Sequence, residues 1–175
     1  MKARTQQRFR APERWRTPLP GLAPQARWFV LGIALMLLAA APGAQAALGA
    51  DSGTVAADCV QLKGNLHTQQ ADGYQVHEIQ AATGAVVREY VAGGTVFGVA
   101  WQGPVIPDLH QLMGTYYQQY VQAARAQVLQ RRGLGPISVQ LPGLVVESGG
   151  HMRAFAGRAY LPGMLPQDVH AEDVR

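Results

Sequence analysis

Apolar and polar positions change rhythm several times along this 175-residue chain. Residues 1–27 are polar, and residues 28–41 form an unbroken apolar run. Further on, Val55, Cys59 and Leu62 recur at i, i+4 and i+7. That spacing predicts a short helix with Ser52 or Thr54 as its cap. Residues 64–73 are polar and read as a loop. The period then falls to two. Tyr74–Gln80, Ala85–Val91 and Thr95–Trp101 are β-rich runs separated by Ala82-Thr83-Gly84 and Gly93-Gly94. Links this short make antiparallel neighbours, because a parallel crossover needs a dozen or more residues.

The third run is apolar on both faces, which predicts a central strand covered from both sides. Simple alternation puts Phe97, Val99 and Trp101 on one face and Val96, Gly98 and Ala100 on the other. The small pair Gly98 and Ala100 leaves room for a bulky neighbour, expected to be the next helix. That helix begins at Pro107-Asp108, with Pro at the first position and Asp near the positive end. Leu109, Leu112, Met113, Tyr116, Tyr120, Ala123 and Ala124 form its apolar stripe. Gly114 inside it costs about 1 kcal/mol against Ala, which suggests a close backbone contact. The pattern fades at Arg131-Arg132-Gly133. Strands return at Ile137–Leu141 and Leu144–Ser148, and at His151–Tyr160 beyond a Gly149-Gly150 turn. The expected fold is α+β: an antiparallel β-sheet of about five to six strands, with one long amphipathic helix and a short N-terminal helix packed on it. The acidic tail Asp168–Arg175 is expected to be mobile.

Charge changes the picture. The whole chain carries formal charge +4, which by itself would suggest a nucleic-acid partner. Seven of its fifteen Lys/Arg precede Trp28, however, and residues 47–175 hold eight Lys/Arg against ten Asp/Glu, a net of −2. The basic character belongs to the N-terminus. There a cationic stretch, a 14-residue apolar run, Pro42-Gly43 and Ala44-Gln45-Ala46 follow one another. This is the order of a secretory signal peptide cleaved after Ala46. The expectation is therefore a signal at 1–46, one domain at 47–175, and a periplasmic or secreted product with no stable membrane span after cleavage. The alternative is an uncleaved N-terminal anchor, since the 23 residues 28–50 carry no charge and roughly 20 suffice to span a bilayer. One cysteine, Cys59, cannot make an internal disulfide; a buried inert thiol or an intermolecular disulfide is the expectation.

Residues 47 to about 175 resemble a family of small exported bacterial proteins known only as domain of unknown function 2844. The resemblance is carried by Arg88-Glu89-Tyr90, Val96-Phe97, Trp101-Gln102-Gly103-Pro104, Pro107-Asp108-Leu109, Gly114, and Glu147-Ser148-Gly149-Gly150-His151-Met152. Gly157-Arg158-Ala159-Tyr160-Leu161-Pro162 extends it. It implies a bacterial envelope location and brings no known activity and no catalytic residues.

Chemistry must then be read from the residues. His67, His77, His110, His151 and His170 form neither H-x-x-x-H nor H-E-x-x-H, so no metal is expected. Ser148 and His151 lack a nucleophile-elbow pattern, and the Gly-Gly pairs lack the Lys-Ser/Thr of a phosphate loop. No cofactor is expected. Two readings remain. One is a non-enzymatic binding or scaffolding module for an envelope protein or glycan, with Trp101, Tyr116, Tyr117 and Tyr120 as its candidate surface. The other is a small hydrolase-like enzyme in which Arg88, Glu89 and His151 meet in one cleft.

Overall fold

Backbone pairing in the computed structural model, which describes residues 48–130 and 135–175, builds one seven-stranded antiparallel sheet in the order β1-β2-β3-β4-β7-β6-β5. The strands are β1 (Asn65–Gln70), β2 (Gln75–Gln80), β3 (Val86–Ala92), β4 (Thr95–Gly103), β5 (Ile137–Leu141), β6 (Leu144–His151) and β7 (Ala154–Tyr160). The first four form a meander. The chain then crosses the sheet through helices and returns as a second meander, whose last strand closes against β4. The fold is α+β, with more strands than the five to six expected. The extra one is β1. Its sequence, NLHTQQ, is exposed at every position and carries no alternation to betray a strand.

The helices are α1 (Val55–Gln61), α2 (Leu109–Met113) and α3 (Tyr117–Gln130). Asp51, not Ser52 or Thr54, receives the backbone N–H at the start of the first helical segment. Asp108 caps α2 by accepting from the N–H groups of His110 and Gln111. The single long helix expected from the stripe is interrupted at Gly114. This residue takes φ +49 and ψ −121, a conformation open to glycine at little cost. A 3-10 turn, Gly114–Tyr116, joins α2 to α3. The expected end of the helix at Arg131–Gly133 lies outside the described residues, as does the expected signal segment.

The sheet separates two apolar clusters. On one face Val87, Val99, Trp101, Val146 and Ala159 pack against Leu112, Met113, Tyr120 and Ala124 of the helices. On the other, Tyr90, Phe97 and Ala100 pack with Val169 and Val174. Simple alternation along β4 fails at its start. The register shifts between Tyr90 and Val91, so that Tyr90 faces Gly98 while Val91 faces Val96, leaving Phe97 as an extra residue. Such a bulge resets which side each residue faces. Val96, Val99 and Trp101 therefore belong to the helix side, and Phe97 joins Ala100 on the other.

That second face is covered by the C-terminal segment, where the sequence pointed to a helix. A Cβ at Gly98 would sit 3.2 Å from both Val174 methyl carbons. The segment expected to be mobile is packed: Val174 is fully buried, Val169 is 5 % exposed, and Tyr90 and Arg88 donate to the main-chain oxygen of Arg175. Two apolar side chains hidden among charged ones explain why composition alone reads as a loose tail. The second hairpin also turns later than expected. Gly149 and Gly150 lie within β6, opposite Ala156 and Phe155. The turn falls at Met152-Arg153, with Arg153 at φ +67.

Candidate functional site

Antiparallel partners project to the same side of a sheet, so the register lines up one polar row across the tail-covered face. It runs His67, Glu78, Arg88, Ala100, Arg158, Glu147, Ser138. Arg88 Nε donates to Glu78 at 2.8 Å, and Arg158 Nε donates to Glu147 at 2.8 Å. The two ion pairs flank Ala100. Both pairs are partly exposed, so each contributes no more than about 1 kcal/mol. Their remaining donors hold the tail: Arg158 Nη1 donates to the oxygens of Ala171 and Val174, and Arg88 Nη1 to that of Arg175. The Arg158 guanidinium also lies 5.8 Å from the Tyr160 ring centre. The Tyr90 hydroxyl donates to the Arg175 oxygen and accepts from the Arg175 N–H. Burial raises the pKa of that hydroxyl.

Among the described residues the same face is open beyond the tail. A cleft of about 610 Å³ is lined there by Arg88, Gln102, Pro136, Gly149, Ala156 and Arg158, among others. Its depth follows from small residues. Gly149 and Ala156 face each other across β6 and β7, and Ala156 faces Gln102 on β4. Cationic side chains edge a depression of small residues, a combination suited to binding. Sequence reasoning missed it. Its one legible trace was the small residues of β6 and β7, and Gly149-Gly150 looked like a turn.

A second polar group lies inside the helix-side core. Asp58 of α1, Glu89 of β3 and Gln111 of α2 are all buried, and Gln111 Nε2 donates to Asp58. Desolvation first, then the neighbouring Asp58, push Glu89 up to about 9. As a carboxylate, Glu89 would meet no donor with either oxygen. Protonated, it supplies a donor to Asp58. Glu89 is therefore a neutral core group at neutral pH that ties β3 to α1. His77 lies opposite it on β2. Its ring nitrogen Nδ1 is 2.9 Å from the Thr68 hydroxyl, and burial lowers its pKa.

Arg88, Glu89 and His151 do not converge. Arg88 faces the cleft and Glu89 the opposite core, as neighbours in a strand must. His151 is exposed at the end of β6, next to the hairpin turn, with Nδ1 near the Met152 oxygen. The four aromatic candidates do not form a surface either. Trp101 is 2 % and Tyr120 8 % exposed. Tyr116 packs partly buried against the core, and Tyr117 meets His110 edge-on at 5.2 Å. An apolar stripe places rings inward, and here the rings follow it. Trp101 nonetheless borders the cleft, where it backs Gly157. Cys59 is half-buried with its thiol donating to the Gly64 oxygen. Among the described residues no group of three His, Cys, Asp or Glu side chains is placed to hold a metal ion.

The fold and cleft thus define a class: a seven-stranded antiparallel α+β domain with one sheet face part-covered by its own tail. The chain belongs to a family described as proteins of unknown function, DUF2844, whose family model matches residues 44–174. No curated protein and no solved structure is matched.

Proposed function

We propose that this chain is a non-enzymatic binding module of the bacterial envelope, whose partner, a protein or a glycan, docks in the cleft beside the C-terminal segment. The observation that carries the reading is the cleft of about 610 Å³ on a sheet face that the described residues leave open beyond the tail. Ligand sites are typically concave, with a few placed polar groups around small or apolar surface. Export rests on the cationic, apolar and Ala-Gln-Ala order of the N-terminus. Among the described residues no helix is long and apolar enough to cross a membrane. A hydrolytic trio needs its members within reach of one substrate atom. Arg88, Glu89 and His151 stand on two faces and a hairpin end, which favours binding over catalysis.

The test is a cross-linking pull-down from envelope extract with the tagged chain, run beside Ala156→Trp. Ala156 is exposed within the cleft, so an indole there fills the cleft without entering either core. Species recovered by the parent chain are expected to be lost with the variant, at unchanged urea stability. Equal recovery by both proteins would refute docking in the cleft.

A further inference from the structure

The two edges of the sheet are finished differently. At the β5 edge, Gln127 of α3 acts as a substitute strand: its Nε2 donates to the Ser138 oxygen at 2.9 Å and its Oε1 accepts from the Ser138 N–H at 3.3 Å. Main-chain groups that another strand would need are thereby occupied. Among the described residues the β1 edge has no such cover. All six of its residues are exposed, and it is the last strand in the sheet. It pairs with β2 in unbroken register from Asn65–Gln80 to Gln70–Gln75, with no bulge. Natural edges are usually blunted by Lys, Pro, a bulge or an inward charge. Asn65, Leu66, His67, Thr68, Gln69 and Gln70 include none of these.

We propose that β1 pairs antiparallel with β1 of a second copy of this chain, joining two seven-stranded sheets across a twofold axis. The chemistry of the strand selects that occupant. Three of its six side chains are amides and one is a hydroxyl, while Leu66 alone is apolar. A greasy strand would find almost nothing to bury here. An amide-rich strand would match, because each amide both donates and accepts; antiparallel pairing over the whole strand sets Asn65 opposite Gln70, Leu66 opposite Gln69 and His67 opposite Thr68 of the other copy. The chain itself supplies that strand. Like charges facing each other destabilise a sheet, and β1 carries no Lys, Arg, Asp or Glu to meet its copy. A six-residue ladder is only about 20 Å long and by itself falls short of the roughly 1,200 Å² that stable interfaces bury. The association is therefore weak and depends on concentration. It leaves the cleft open, since the cleft is on a face and the contact on an edge.

Sedimentation velocity of the full-length chain over a wide concentration range tests this, comparing the parent with Gln69→Lys, His67→Lys and the control Gln118→Lys on an exposed helix position. The N-terminal apolar run is common to all four proteins, so the differences between them are what is read. The parent should shift toward a dimer with concentration. Each β1 lysine should weaken dimerisation roughly tenfold, equivalent to about 1.4 kcal/mol, and the control should not. A parent that stays monomeric, a dimer indifferent to both β1 lysines, or an equal loss in the control would each overturn the proposal.

Discussion

Glu89→Gln should make this protein more stable at alkaline pH and should remove much of its pH dependence. Glu89 is buried against Asp58, and its pKa is pushed up from 4.5 to about 9. Unfolded, it ionises near 4.5. Between those values the folded state holds a proton that the unfolded state has lost, so stability falls as pH rises. The contribution is complete below about 4.5, declines through the window, and levels off above about 9. Each pH unit is worth about 1.4 kcal/mol. Folding at pH 7 therefore works against roughly 3 kcal/mol of proton uptake, and at pH 8 against roughly 5 kcal/mol. These are large fractions of an ordinary domain stability of about 5–15 kcal/mol. Glutamine keeps the shape and a donor for Asp58 without needing that proton. Urea unfolding followed by circular dichroism at pH 5, 6.5 and 8 reads the effect as a difference between variant and parent, which cancels the titration of His77 common to both. The advantage of Glu89→Gln should grow by about 4 kcal/mol from pH 5 to pH 8. A difference that is flat with pH, or a variant that loses most at pH 8, would refute the account of Glu89 as a neutral core group.

Two further outcomes test the packing around the cleft and tail. Gly157→Ala would push a Cβ into the Trp101 ring and to 2.8 Å from the Glu147 oxygen; a loss of about 1–3 kcal/mol in urea unfolding is expected, and a neutral result would mean the indole does not lie over Gly157. Val174→Ala removes buried methyl groups from the tail's seat on Gly98 and should cost on the order of 1–2 kcal/mol, whereas a tail that does not pack would give no change by the same measurement.

Local signals were legible where one physical cause acted alone. The β2 to β4 meander announced itself through period-two alternation and glycine turns, and β5 matched its expected bounds because Ile137, Val139 and Leu141 alternate with polar residues. Signals failed where two causes share a residue type. Gly149-Gly150 has the chemistry of a turn, but there the pair provides strand backbone with no side chain to fill the space. Gly150 at φ +125 tolerates the Ala154 main chain close by. Arg88 and Glu89 were bound to face apart from their adjacency in a strand. Which charge would be exposed to the cleft and which buried beside Asp58 depended on the helix that packs 31 positions upstream of Glu89.

The sequence by itself determined the fold class, the antiparallel meander, the apolar stripe of the helices and the N-terminal segment that carries the excess positive charge. These depend on periodicity and composition, which are local. Tertiary structure decided the rest. It added β1, whose polar residues become a strand only because β2 offers a ladder to join. It moved Phe97 to the second face through a bulge opposite Tyr90 and Val91. It seated Val174 on Gly98, converting an acidic tail into a cover held by Arg88 and Arg158. The cleft is what that cover leaves open, and its position is set by contacts between residues as far apart in the chain as Arg88 and Arg175.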